Sequence, residues 1–146
     1  MIVPVTVSNL NDAAMIHSIS WKESHRSFCT PGFIELHTPE RQSKYILEKI
    51  KNGSAFYMLI DEQPVGIVSV NSSMIEDLYV LPNEQGKGCG TKLVEFAIGK
   101  CSQTPTLWIL ENNIIARKLY LKLGFKETGN IKSAKNKLSE IEFKLI

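Results

Sequence analysis

A strand-like run near the middle of the chain, Met74-Ile75-Glu76-Asp77-Leu78-Tyr79-Val80, stops at Pro82 and opens into Gln85-Gly86-Lys87-Gly88-Cys89-Gly90. A stretch with helical periodicity follows at once. Glycines allow positive φ and carry no Cβ, so several backbone N–H groups can converge on one anion. The helix behind the loop adds its own unpaired N–H groups and the positive end of its dipole. Any fold adopted by this chain has to place a strand end, a glycine turn and a helix start together, which is the build of a phosphate cradle.

The remaining sequence supplies elements of both kinds. Ile2 to Val7 reads as a first strand, and Pro4 predicts an edge position or a strand start. Asn9 or Asn11 begins a helix that runs through Ala14, Ile16, Ile19 and Trp21 to about Ser27. Thr30-Pro31-Gly32 breaks it. Thr38-Pro39 supplies a cap and a first-turn proline for the next helix, which carries Tyr45, Ile46 and Ile50 and closes at Asn52-Gly53. Ala55 to Ile60 and Val65 to Val70 read as an antiparallel hairpin joined by Asp61-Glu62-Gln63-Pro64.

After the glycine loop, Leu93, Val94, Ala97 and Cys101 mark the buried side of a helix from about Gly88. Thr106 to Leu110 is a short strand. Asn112-Asn113 caps a further helix with Ala116, Leu119, Tyr120 and Leu123 on one face, and Gly124 occupies a left-handed C′ position with Phe125 as its hydrophobic contact. Glu140 to Ile146 alternates as a closing strand. Lys132, Lys135 and Lys137 read as a solvated loop. With 146 residues and no repeats or linkers, one α/β (α+β) domain over residues 1–146 is expected.

Composition excludes several partners. A formal charge of +2, dispersed rather than clustered, does not make a nucleic-acid surface. No apolar run approaches the ~20 residues a membrane span requires, and no signal-like segment leads the fold. The three cysteines, Cys29, Cys89 and Cys101, have neither metal-ligand spacing nor a disulfide framework. No metal and a reducing, cytoplasmic location are expected. Oligomeric state is not encoded legibly, although homodimers are common among soluble proteins.

Three nucleotide readings compete for the loop. A P-loop requires Gly-Lys-Ser/Thr, but Gly90 is followed by Thr91-Lys92. A dinucleotide fingerprint counted from Gly86 and Gly88 meets Thr91 where the third glycine belongs. Gln/Arg-x-x-Gly-x-Gly is satisfied by Gln85, Gly88 and Gly90. With Leu78-Tyr79-Val80-Leu81-Pro82 before it, and Asn113-x-x-Ala116-x-x-x-Tyr120-x-x-x-Gly124-Phe125 after a later strand, the chain resembles a GNAT-superfamily N-acetyltransferase over roughly residues 74–126.

The resemblance implies a mixed, mostly antiparallel sheet, splayed at its middle and flanked by helices, that binds acetyl-CoA. It places the pyrophosphate on backbone amides of Gln85, Gly86, Lys87, Gly88, Cys89, Gly90 and Thr91, and the pantetheine arm beside Leu78, Tyr79 and Val80. Lys87 is either a phosphate contact or a solvated lysine. Asn113 is either a contact to the pantetheine or adenosine part or a helix cap.

Acetyl transfer to a primary amine by direct attack is implied, with a small-molecule or peptide amine as acceptor. Such a reaction needs a base for the ammonium, fixed donors for the oxyanion and a proton donor for the thiolate. Tyr120 matches the proton donor. Glu76, on Leu78's face if the strand is regular, is the candidate base, with Asp77 as competitor; a bulge would change that facing. Trp21, Glu23, Ser24, His25 and Phe28 belong to a segment placed to line the acceptor site, though each also has a structural reading as core, loop or solvated charge. Cys89 reads as a small residue filling a loop position rather than as a nucleophile. A non-catalytic acyl-CoA-binding regulatory module is the alternative reading.

Overall fold

The computed structural model describes residues 1–133 and 138–146 of the chain. In chain order the elements are β1 (Ile2–Pro4), α1 (Leu10–His25), α2 (Pro31–Glu35), α3 (Pro39–Lys51), β2 (Ala55–Asp61), β3 (Gln63–Asn71) and β4 (Met74–Val80). They continue with α4 (Cys89–Lys100), β5 (Thr106–Leu110), α5 (Ile114–Lys122), β6 (Phe125–Ser133) and β7 (Ser139–Leu145). One seven-stranded sheet runs β1-β2-β3-β4-β5-β7-β6. Every neighbouring pair is antiparallel except β4 and β5. This is the mixed, mostly antiparallel sheet the motifs imply.

The two faces of the sheet bury separate clusters. α1 and α3 cover one with Ala13, Ala14, Ile16 and Ile46 packed on Phe56, Met58 and Ile67. α4 and α5 cover the other, where Leu93, Val94, Ala97 and Tyr120 meet Val68, Ile75, Leu107 and Phe143. Pro4 sits at the end of an edge strand, where its missing N–H costs no ladder bond.

Local chemistry explains most helix ends. Thr38 Oγ1 accepts from Arg41 N at 3.2 Å and Pro39 takes the first turn of α3. Gly124, with φ +97, follows α5 as its left-handed C′ residue. Thr30-Pro31-Gly32 does more than break α1. Thr30 caps Phe33 N and Pro31 begins the short helix α2, the same cap-and-proline arrangement that starts α3. The first strand is also shorter than Ile2 to Val7, because Asn9 turns the chain back after Pro4: its side chain accepts from Thr6 N at 2.7 Å and donates to Pro4 O at 3.0 Å.

Lys132 corrects the solvated-loop expectation. It belongs to β6 opposite Glu140, with its Nζ 4.3 Å from the centroid of the Trp108 ring and 3.4 Å from Glu140 Oε2. Lys135 and Lys137 lie outside the described residues. Among those residues, no helix is long and apolar enough to cross a membrane.

Candidate active site

The parallel pair β4–β5 is the origin of the site. The two strands are in register only at Met74↔Thr106 and Ile75↔Leu107. β4 then continues to Val80 and β5 to Leu110 without further pairing to each other. Two diverging strand edges expose main-chain groups that an extended, amide-bearing ligand can satisfy.

The glycine loop stands at the wide end of this opening. Gly86 has φ +78 and Gly88 has φ +84, the latter as the residue before α4. No side chain caps α4. Its first turn closes with Lys92 N donating to Gly88 O at 3.1 Å, so the amides of Cys89, Gly90 and Thr91 have no helical partner. A Cβ built on Gly86 or Gly88 meets no atom within 4 Å. Gln85 Nε2 donates to Val80 O at 3.2 Å and ties the loop to the end of β4. The Lys87 ammonium is exposed and paired with Glu84 at 3.1 Å.

A β-bulge in β4 redirects the two acidic side chains. Val68 faces Leu78 and Val70 faces Ile75, so Glu76 and Asp77 together oppose Ser69. Ile75 and Leu78 consequently pack toward α4, while both carboxylates turn to the α1–α3 side. Glu76 therefore does not share Leu78's face as a regular strand would require. Its Oε2 accepts from Lys49 Nζ at 2.7 Å and its Oε1 from Ser54 Oγ at 3.0 Å.

Asp77 is sealed more deeply, at 7% exposure. Tyr45 Oη and Ser69 Oγ donate to its two oxygens at 2.9 and 2.8 Å, and His17 Nε2 lies 3.4 Å from Oδ1. Burial by itself would raise this carboxyl's pKa, but the contacts from His17, Ser69 and Tyr45 outweigh it and hold the group below the ordinary carboxylate range. Asp77 supports the bulge from inside the protein and does not line the groove.

A groove of about 1100 Å³ joins the splay, the loop and the helices. It brings together nearly all the residues singled out from sequence: Glu76, Leu78, Tyr79 and Val80 of β4, Gln85 through Thr91 except Lys87, Asn113 and Tyr120, and Trp21, Glu23, Ser24 and His25 of α1. Phe28 stays outside the lining and packs on His25 with ring centroids 5.1 Å apart. Asn113 does two things: its Oδ1 accepts from Ala116 N at 3.1 Å, and the residue borders the groove.

Tyr120 is 4% exposed, its ring set edge-on to Phe125 at 5.5 Å. Burial pushes its pKa upward, so the phenol is protonated at neutral pH. Its hydroxyl has no hydrogen-bond partner among the described residues.

The acceptor side holds residues the sequence reading missed. Trp21 is sandwiched between two imidazoles, His25 at 3.9 Å and His37 at 3.4 Å, with interplanar angles of 10° and 11°. Phe33, Arg41, Trp108 and Glu140 also line the groove. The Oγ of Ser20, on the same wall, is the buried side-chain oxygen left without a hydrogen-bond partner among the described residues. The Thr30-Pro31 and Thr38-Pro39 pairs were the available signal, because two caps eight residues apart place His37 between two helix starts. Burial lowers the pKa of both His25 and His37, so each is largely neutral at pH 7.

Splayed strands, an amide-lined turn at their mouth and a protonated phenol meet in one groove whose shape suits a long, phosphorylated ligand. The sequence model of the Acetyltransferase (GNAT) family matches residues 13–125, and the chain belongs to that family. It is 27% identical over 132 residues to the uncharacterized N-acetyltransferase YobR of Bacillus subtilis, covering 82% of this chain and 53% of that protein. It is 35% identical over 68 residues to the peptidyl-lysine N-acetyltransferase YjaB of Escherichia coli, covering 47% and 46% of the two chains. The aligned portions thus span about half the length of these curated relatives. Among solved structures, PaiA N-acetyltransferase from Thermoplasma acidophilum in complex with coenzyme A superposes with a TM-score of 0.72 at 18% identity, over 97% of this chain and 96% of that one. The solution structure of apo YjaB gives 0.71 at 19%, over 100% and 97%. These likenesses establish the fold.

Proposed function

We propose that this chain is an N-acetyltransferase that moves the acetyl group of acetyl-CoA to a primary amine by direct attack in a ternary complex. The observation that carries this reading is the single groove in which the β4–β5 opening, the Gly86–Thr91 turn and the Tyr120 phenol meet. The PaiA neighbour was crystallised with coenzyme A and the curated relatives are named N-acetyltransferases, which supports acetyl-CoA as cosubstrate here. The residues suit it, since the space beside Gly86 and Gly88 is open where a Cβ would intrude.

In this reading, amides from Gly86 to Thr91 bind the diphosphate with the help of the α4 dipole. Main-chain groups of Leu78, Tyr79 and Val80 pair with the pantetheine arm, and Asn113 contributes at the cleft edge. The β4 edge near Leu78 supplies an N–H for the oxyanion. Tyr120 donates its proton to the departing sulfur. Glu76, braced by Lys49 and Ser54, offers the acceptor amine a hydrogen-bond-accepting carboxylate, and Trp21 and Ser24 form part of the acceptor wall. The acceptor is a small-molecule or peptide amine; the name of YjaB makes lysine peptides the first to try. We further place the protein in the cytoplasm, the reducing compartment its cysteine spacings suit.

Release of free thiol from acetyl-CoA, measured across polyamines, aminoglycosides, lysine peptides and peptide N-termini, tests the reading. Amine-dependent thiol release is expected. A thermal shift with acetyl-CoA and no thiol for any amine would favour a non-catalytic acyl-CoA-binding module instead. Absence of any shift would defeat both.

A further inference from the structure

An attacking alkylamine is an ammonium ion at neutral pH, with a reference pKa of ~10.4 for lysine, so a group in the groove has to take its proton. Each carboxylate of the acceptor wall is already engaged. Glu76 holds Lys49 and Ser54, Glu140 holds Lys132 at 3.4 Å, and Glu23 holds Arg26 at 3.5 Å. Glu76 has one oxygen occupied by the Lys49 ammonium at 2.7 Å and the other by the Ser54 hydroxyl at 3.0 Å.

His37 is not engaged in that way. Its Nδ1 lies 3.1 Å from the Phe33 carbonyl. A carbonyl only accepts, so Nδ1 carries the hydrogen and Nε2 carries the lone pair. Nε2 has no partner among the described residues. The ring is stacked on Trp21, its main-chain N–H donates to Ile34 O at 3.1 Å, and its carbonyl accepts from Ser18 Oγ. At 9% exposure and on the groove wall, this is a fixed imidazole with one free basic nitrogen. His25 has the same tautomer, donating to Trp21 O at 2.9 Å, but it closes α1, is half-buried and shares its Nδ1 with Ser24.

We propose that His37 is the general base of the reaction, taking the ammonium proton through Nε2. This assignment rests on the acetyl-transfer reading above and replaces Glu76 in that step. The freed nitrogen forms the N–C bond to the acetyl carbon, and the C–S bond breaks. Tyr120 protonates the sulfur and recovers a proton from the nitrogen, while His37 releases the first proton to water. The sum is acetyl-CoA plus R–NH3⁺ giving the acetamide, CoA–SH and H⁺. Groups that influence His37 are His17 of α1 and Arg41 of α3, and His37 in turn lowers the pKa of His25. Burial first, then Arg41 and His17, keep it neutral, against the opposing effect of the Phe33 carbonyl.

The test is His37→Gln, assayed with the best acceptor from the amine panel. A general base contributes roughly 10²–10⁴-fold, so kcat should fall at least about a hundredfold, with the KM for amine and the Kd for acetyl-CoA within about threefold. The histidine limb of the kcat/KM–pH profile should vanish, and the deficit should shrink with an acceptor amine of low pKa. In the wild-type protein, ¹⁵N NMR of the side chain should find Nδ1 protonated and Nε2 bare at pH 7, which can be read even where the variant folds poorly. A kcat within threefold of wild type, an equal loss in His25→Gln, or an Nε2–H tautomer overturns the assignment while acetyl transfer stands. Wild-type protein that turns over no amine ends the acetyl-transfer reading and this proposal with it.

Discussion

Replacing Tyr120 by phenylalanine separates its chemistry from its packing. The ring lies in the α4–α5 core cluster and meets Phe125 edge-on at 5.5 Å. Both features survive the loss of one oxygen. The hydroxyl has no hydrogen-bond partner among the described residues, so no bond is broken and no buried partner is stranded. The stability change should therefore stay below the roughly 1 kcal/mol that a typical point substitution costs. Turnover should respond differently. Without a donor, the sulfur leaves as a thiolate with a reference pKa of ~8.5. Loss of one general acid costs roughly 10²–10⁴-fold, equivalent to about 2.7–5.4 kcal/mol of barrier. Thiol-release kinetics, acetyl-CoA calorimetry and a urea melt on the same preparation would resolve the three quantities. Turnover equal to wild type would remove Tyr120 from the mechanism. A parallel loss of stability would mean that the phenol is a structural group.

Gly88→Ala should leave a folded protein, since a left-handed residue costs roughly 1–2 kcal/mol and the new Cβ meets nothing within 4 Å. It should nevertheless weaken acetyl-CoA by about ten- to a hundred-fold in calorimetry, because one charge-assisted bond to phosphate is worth roughly 1.5–3 kcal/mol. Asp77→Asn replaces one acceptor oxygen by an NH2 donor that faces the Tyr45 or Ser69 hydroxyl, and urea unfolding should record a loss of about 1–3 kcal/mol. Acid should act in two stages. His25 and His37 have lowered pKa values, so the unfolded chain binds more protons just below ~6.5 and melting temperature should fall as pH drops through that region. Asp77, also lowered, contributes stability that is complete above ~3.9 and disappears below it; a melting temperature flat from pH 7 to 5 would contradict the histidine stage.

The elements that were legible in the sequence are those whose ends carry their own chemistry. Thr38-Pro39, Asn113 and Gly124 each fix a boundary through a local hydrogen bond or a special φ, whatever the tertiary surroundings. The glycine loop was legible for the same reason. β6 was not, because Phe125 is its one buried residue and the rest of the strand is exposed, so no alternation marks it. The bulge at Glu76–Asp77 was equally hidden. It depends on Ser69, eight residues from Asp77 on the neighbouring strand, whose hydroxyl bonds both the Asp77 amide and its carboxylate. That one inserted residue moves Glu76 to the other face, and no single-strand pattern could reveal it. His37 escaped notice because its partners Trp21, Phe33 and Ser18 are brought around it only when α1, α2 and α3 pack.

A crystal structure with acetyl-CoA bound, or with its non-hydrolysable thioether analogue, tests the central claim most directly. The account predicts diphosphate oxygens at ~2.7–3.2 Å from amides between Gly86 and Thr91, the pantetheine along Leu78–Val80, and the sulfur beside Tyr120 Oη. A ligand bound elsewhere, or a diphosphate that leaves those amides unpaired while the β4–β5 opening stays closed to it, would contradict it.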